Sequence, residues 1–272
     1  MSTSSSRADS GFAYSRSFFE NLVDSALAHA RKLGATDAGA EASEGCGLSV
    51  SVRKGELENV ERNRDKSLGV TVYVGHRRGN ASTSDFSEAA IAQTVQAAYD
   101  IARFTAEDPV SGLPDEADLA TGEAATRDLD LFHPWAIDAE GAVEIATRCE
   151  RAALVVDRRI TNSEGAGVSA QQSHFQAGNS RGFRGGYASS RHSISVSPIA
   201  AASRKRGAEM QREAWYSSMR DAQELASPQA VGRYAAERAL SRLGARKIAT
   251  REVPVLFEST LAAGLLRSKS VV

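Results

Sequence analysis

The chain has 272 residues, which is enough for two modest domains or one large one, each with its own buried core. Its composition, 42% hydrophobic and 25% charged, is ordinary for soluble globular proteins and excludes wholesale disorder. The 33 Lys and Arg residues balance the 34 Asp and Glu residues, so no net field would draw the chain to nucleic acid or to an anionic membrane. No apolar run approaches the roughly 18 residues that a membrane-spanning helix needs.

The N-terminal residues and the cysteines point to an ordinary cytoplasmic protein. Residues 1–16 are Ser-rich and lack the apolar run of a secretory signal, so we predict a disordered tail. Neither Cys46 nor Cys149 has a second Cys or a His at metal-ligand spacing. We therefore expect both to be small core residues in a reducing cytoplasm.

The first predicted unit spans residues 17–105 and opens with a helix. Apolar residues recur every three or four positions from Phe18 to Leu33, and Gly34 supplies a stop. The period then changes to two, first around Leu48–Val52 and again over Leu68–Val74, which predicts antiparallel strands.

The remainder of this unit contains two turns and a second helix. Lys54-Gly55 is predicted to join the first strands, and Gly75–Asn80 to form an exposed hairpin loop. Asp85 with Glu88 resembles a capping pair for a helix that ends near Phe104.

A linker is predicted over residues 106–127, where Pro and Gly occur among acidic residues without periodicity. The second unit spans residues 128–247 and begins with an apolar connector over Asp128–Trp135. Asp138 is predicted to cap a helix, strands follow from Ile160 onward, and Ser227 with Pro228 begins the last helix. Residues 250–272 are assigned to neither unit.

The order of elements predicts the fold class. Helix, antiparallel meander and helix occur in that order twice, and the strands are grouped instead of alternating strictly with helices. We therefore predict an α+β protein made of two helix/antiparallel-meander/helix units.

No catalytic or metal-binding residue can be assigned from the sequence. A zinc-peptidase signature needs two His about four positions apart on one helix, with a Glu beside them. The His residues are instead scattered, and no metal or cofactor site is predicted in this chain. They are His29, His76, His133, His174 and His192.

Other patterns that resemble catalytic or ligand-binding motifs also have structural explanations. His192 and Ser193 are adjacent on a predicted strand and so point to opposite faces, which argues against a nucleophile and base pair. The Gly-rich runs Gly178–Gly182 and Arg184–Gly186 lack the context of a phosphate-binding loop, so two hairpin turns are predicted. Arg204–Arg206 is interpreted as a solvated loop.

Glu56, Glu58 and Glu61 are the paired carboxylates of the first meander. Glu56 and Glu58 are predicted to share one strand face, which could bind a cation or a peptide amine. A charged, solvated face is the preferred interpretation.

Several runs, in order, resemble the TldD/PmbA family of peptidase subunits, and specifically the N-terminal part of its PmbA/TldE branch. The resemblance extends from about residue 18 to Leu266. The runs are Glu58–Glu61, Leu68–Tyr73, Gly79–Asp85, Asp128–Pro134, Arg159–Gly165, Ser190–Ser193, Leu240–Leu243 and Arg246-Lys247.

The resemblance implies a function as the non-catalytic subunit of a cytoplasmic TldD–TldE metallopeptidase, which degrades or matures unfolded peptides. It implies a TldD-type partner subunit that carries the zinc, and a role of this chain in shaping the peptide channel. Because family members continue into a large C-terminal domain, the resemblance also implies a C-terminally truncated chain, with residues 250–272 as the truncated start of that further domain. The alternatives are a regulatory or protein-binding module of the DNA-gyrase modulator type, or a nonfunctional truncated remnant.

Overall fold

A computed structural model describes residues 11–203, 205, 207–259 and 261–264, and within these residues the fold is α+β, as predicted. The helices there are α1 Arg16–Lys32, α2 Glu88–Phe104, α3 Glu123–Thr126, α4 Ala139–Leu154 and α5 Pro228–Ser241. The strands are β1 Asp37–Arg53, β2 Glu56–Val74, β3 Arg77–Thr83, β4 Ile160–Asn179, β5 Arg184–Gly185, β6 Ala188–Ala201, β7 Met210–Arg212 and β8 Trp215–Met219.

All the strands join one antiparallel sheet with the order β3-β2-β1-β4-β6-β7, in which β5 also pairs with β4 and β8 with β6. The link between the two predicted meanders is the long ladder of β1 and β4, in register from Gly39 opposite Asn179 to Val52 opposite Ala166. The sheet therefore runs without a break through both predicted units.

One face of this sheet is covered by helices, and it carries two separate hydrophobic cores. α1 and α2 cover Ala38, Ala40 and Ala42 of β1 together with Leu68, Val70 and Val72 of β2. α4 and α5 cover the far end of the same β1 face, where Val50 and Val52 are buried. Even-numbered residues of β1 face the helices because side chains alternate along a strand.

Three of the long helices have the caps that the local sequence supplies. Ser15 caps α1, Asp138 caps α4 and Ser227 caps α5, each accepting a hydrogen bond from a backbone N–H three residues later. The predicted capping pair of Asp85 and Glu88 is wrong. Ser87 is the N-cap of α2, and Asp85 instead accepts from the Ser87 amide.

The loop predicted over Gly75–Asn80 is shorter than expected. Only Gly75 and His76 form the turn, with φ +60° at Gly75, and β3 begins at Arg77. Gly79 lies inside β3, where the backbone of α2 packs directly on it and leaves no room for a Cβ. This glycine therefore marks close helix packing and not a loop tip.

A buried carboxylate ties α4 to the turn that joins β1 and β2. Lys54 and Gly55 form this turn, as predicted, with positive φ at both residues. Their backbone amides donate to the two carboxylate oxygens of Glu150 at 2.9 and 2.8 Å, and Glu150 is only 1% exposed. This contact could not be predicted from the sequence, because its partners are about a hundred residues apart.

Some predicted segments fall partly outside the described residues. These are residues 1–10 of the predicted tail, Arg204 and Arg206 of the basic run, and Thr260 with residues 265–272 of the predicted further domain. In the predicted linker, the backbone oxygens of Leu113 and Pro114 accept from Arg181. No described helix is both long and apolar enough to cross a membrane.

Candidate functional site

The sheet face opposite the helices is lined by small and polar residues, and we call it the open face. Odd-numbered residues of β1 lie on it, and each shares that face with its cross-strand partner, as Ser49 does with Ser169. Gln171 donates to both of these hydroxyls, at 3.2 and 3.3 Å. Ser193 of β6 continues the same row of hydroxyls beside Ser169.

One end of the open face forms a cavity of about 610 Å³. Its floor is backbone and short side chains, because Gly39, Gly69 and Gly178 line it. Leu113 from the segment after α2 and Phe183 from the turn after β4 form its apolar walls. The cavity could accept an apolar side chain of an extended chain that lies along the sheet.

A polar strip separates the two cores on the helix-covered face, and Glu44 is its centre. This side chain is 1% exposed, yet it carries a carboxylate. Its oxygens accept from the Ala13 and Tyr14 amides at 2.8 and 3.1 Å and from Arg64 at 2.6 Å. His174 Nε2 lies 3.3 Å from the same carboxylate. The strip thus fixes residues 11–15 across the sheet.

The strip shifts the pKa values of both titratable partners downward. Burial raises the pKa of Glu44, but hydrogen bonds from Ala13, Tyr14, His174 and Arg64 outweigh burial and lower it. Burial between the rings of Phe12 and Phe19 lowers the pKa of His174, and the hydrogen bond to Glu44 opposes this only in part. Both shifts make the fold more stable at neutral pH than at acidic pH.

We expect stability to fall on acidification in two steps. The unfolded chain binds a proton at His174 near the ordinary value of 6.5, above the folded pKa, so stability declines as the pH drops below 6.5. The contribution of Glu44 is complete above 4.5 and is lost as the pH falls through its lowered folded pKa. Urea unfolding of H174Q across this range should show the second decline without the first. An unchanged pH profile in H174Q would exclude His174 as its source.

The described residues do not fit a zinc site. They contain no group of three or more His, Cys, Asp or Glu side chains that could hold a metal ion. His29 lies on α1 and His76 in the turn before β3, while His192 Nε2 binds the carbonyl oxygen of His133 at 2.9 Å. No chemical step is therefore assigned to a metal in this chain.

The structure also shows where the other candidate residues from the sequence analysis lie. His192 is buried on the helix-covered face, whereas Ser193 lies on the open face. The run Gly178–Gly182 ends β4 and enters a turn, but Arg184-Gly185 is strand β5, so one hairpin turn replaces the two predicted. Lys205 is exposed.

The carboxylates of the first meander do not form one cluster. A bulge leaves Glu58 without a cross-strand partner, between Leu57 opposite Val52 and Asn59 opposite Ser51. Glu58 lies 3.9 Å from Arg53, both being half exposed. Glu61 lies farther along the strand, opposite Ser49.

The two cysteine thiols differ in burial. Cys149 of α4 is buried in the core, as predicted, and burial raises its pKa to about 12, so the thiol is inert. The prediction that Cys46 is a core residue is wrong. It is half-buried in the polar strip, where Gln172 Nε2 lies 3.4 Å from its sulfur.

Solved structures share this architecture of one long antiparallel sheet with helices on one face. A protein from Bacteroides thetaiotaomicron described as a modulator of DNA gyrase aligns with a TM-score of 0.74 and 22% identity, over 84% of this chain and 51% of that one. TldE from Thermococcus kodakarensis aligns with a TM-score of 0.57 and 12% identity, over 81% and 47%. At these sequence identities the structural similarity shows a shared class of fold and no more.

Sequence comparison then gives the family. Residues 40–102 match PmbA/TldA metallopeptidase domain 1, and residues 132–243 match the PmbA/TldA metallopeptidase central domain. Metalloprotease PmbA of Escherichia coli O157:H7 is 45% identical over 92% of this chain and 54% of its own length. A PmbA homolog of Haemophilus influenzae is 42% identical over 85% and 51%.

The chain belongs to the PmbA/TldD family, in agreement with the resemblance seen in the sequence. It spans about half the length of the curated relatives it matches.

Proposed function

We propose that this chain is part of a TldE-type subunit of a TldD–TldE metallopeptidase complex that degrades or matures unfolded peptides in the cytoplasm. In this proposal the chain is non-catalytic, and the zinc ion belongs to the TldD-type partner. Family membership supports the peptidase context.

The observation that carries the proposal is the open face. A sheet normally buries at least one face, and here one face is packed under helices. The middle of the other face, along β1 and β4, is lined mostly by Gly and Ser, among larger residues such as Glu41, Gln171 and Phe175. Such short side chains let an extended backbone approach closely and impose little selection on its sequence. An unfolded peptide of varied sequence could therefore lie along this face, with an apolar side chain in the cavity beside Leu113 and Phe183.

A bulky residue on the open face tests the proposal. In a mixture of this chain with a TldD-type subunit, S49W should leave complex formation intact on gel filtration but slow zinc-dependent cleavage of an unfolded peptide about tenfold or more. The reason is steric, because the indole would fill the space beside Ser169. The matched control S241W adds the same indole at the exposed end of α5 and should have no effect. Cleavage at the unmodified rate by S49W would reject a peptide path along this face.

A further inference from the structure

The half of β2 that leads from the β1–β2 turn has one unpaired side. β3 pairs only with residues Leu68–Val74 of β2, whereas β1 pairs with β2 from Glu56 onward. Among the described residues, no strand pairs with the outer side of Glu56–Ser67, which we call the β2 free edge. Backbone N–H and C=O groups on such an edge are available to an added strand.

The strands at the opposite edge of the sheet are much shorter than β2. It ends in the short strands β7, of three residues, and β8, of five residues. Short edge strands are a common protection against unwanted strand pairing. The β2 free edge lacks that protection, and its apolar residues Leu57 and Val60 are 54% and 40% exposed.

Charged side chains on the β2 free edge are sorted by face. Glu61 and Asp65 lie on the open face, opposite Ser49 and Gly45. Arg62, Arg64 and Lys66 lie on the other face, opposite Leu48, Cys46 and Glu44. The edge therefore presents an acidic row on one side and a basic row on the other.

Two of the three basic residues already have partners within the chain. Arg64 binds Glu44, and Lys66 donates to the Tyr14 hydroxyl at 2.8 Å. The described residues contain no ion-pair partner for Arg62 or Glu61. These two, with Asp65, are the charges that an added strand would meet.

The charge pattern disfavours a second copy of this chain as the added strand. Antiparallel pairing of two copies about Asn63 would place Glu61 opposite Asp65 and Arg62 opposite Arg64. A register centred on Arg62 or Arg64 would place that arginine opposite the same arginine of the second copy. Like charges directly opposite each other destabilise a strand pair, so these registers of a second copy are disfavoured, and a chain with complementary charges fits the edge better.

We propose that the β2 free edge binds an extended segment of another polypeptide as an additional antiparallel strand. In chain order the segment carries a basic residue opposite Asp65, any two residues, an acidic residue opposite Arg62, a basic residue opposite Glu61 and an apolar residue opposite Val60. Backbone hydrogen bonds supply the affinity, and the three charge pairs and the apolar contact fix the register. This inference does not depend on the proposed peptidase role.

Binding of synthetic peptides by the 272-residue chain tests the proposal. The probe is a capped ten-residue peptide with the pattern basic, any, any, acidic, basic, apolar, and Thr or Val elsewhere. Fluorescence anisotropy should show at least about tenfold tighter binding of this peptide than of one with all charges exchanged. Backbone N-methylation at alternate positions on the pairing side should abolish binding, and amide hydrogen exchange should slow between Leu57 and Lys66 on binding.

Charge reversal on the edge supplies the matched variants. The double variant E61K and D65K should reverse the preference toward the charge-exchanged peptide. E224K with E237K makes the same change in net charge at exposed positions outside the β2 free edge, and should keep the original preference. Absence of binding, equal binding of the two peptides, or protection of amides elsewhere on the sheet would overturn the proposal. None of these results bears on pairing with a TldD-type subunit.

Discussion

Replacing Glu44 by alanine is expected to lower the free energy of unfolding by roughly 2–4 kcal/mol. The change leaves the Ala13 and Tyr14 amides without their carboxylate acceptor in a part-buried strip, and each unsatisfied donor costs about 1–3 kcal/mol. It also removes the counter-ion of Arg64, which is half exposed and so contributes less. Urea denaturation monitored by circular dichroism measures the change.

The neighbouring carboxylate Glu41 provides the control for this experiment. It lies on the same strand but is exposed on the open face, so E41A should change stability by less than about 0.5 kcal/mol. As the pH falls below 4.5, E44A should also lose less stability than the unmodified chain does, and the remaining decline comes from carboxylates such as Asp157, whose pKa is also lowered. Equal stability of E44A and E41A would mean that the polar strip contributes nothing to the fold.

A single methyl group at Gly79 is expected to destabilise the first core by about 3 kcal/mol. A Cβ at this position would collide with the Ala98 carbonyl oxygen and the Ala102 amide nitrogen, which belong to the backbone of α2 and cannot rotate away. The helix would have to shift off the sheet, and overpacking of this kind typically costs about 1–3 kcal/mol, occasionally more. Thermal unfolding of G79A measures the loss.

Gly69 on the neighbouring strand is the matched control. Nothing lies within 4 Å of a Cβ built on it, and its φ is not in the left-handed region. G69A should therefore be neutral or slightly stabilising, because alanine restricts the unfolded chain more than glycine does. If G79A were as stable as G69A, the close packing of α2 on β3 would be incorrect.

Elements with local signals were predictable from the sequence. The helices beginning after Asp138 and Ser227 and the turn at Lys54-Gly55 each depend on residues within a few positions of one another. The α+β class followed from the grouping of the strands. The first helix was also predicted correctly from its spacing and its stop before Gly34.

Features that depend on distant residues could not be predicted. The pairing of β1 with β4 joins residues more than a hundred positions apart, and no local pattern encodes its register. The burial of Glu44 and Glu150 could not be predicted, because the amides that donate to these carboxylates come from distant segments. The predicted loop at Gly75 was too long, because Gly79 and the adjacent basic residues have the composition of a loop although they belong to β3.

The candidate site was only partly visible in the sequence. Alternation of Ser and Gly with Leu and Val in β1 indicated a half-buried strand, and the open face is its polar side. That several strands would align their small residues on one face required the sheet order. The β2 free edge likewise emerges only once β3 is seen to cover half of β2.

The rate of zinc-dependent cleavage of an unfolded peptide tests the central proposal most directly. We expect no cleavage by this chain alone. On addition to a TldD-type subunit, the chain should raise cleavage well above that of either protein by itself, and a zinc chelator should abolish it. Chelator-sensitive cleavage by the isolated chain, or a partner whose activity is unchanged by adding this chain, would contradict the account.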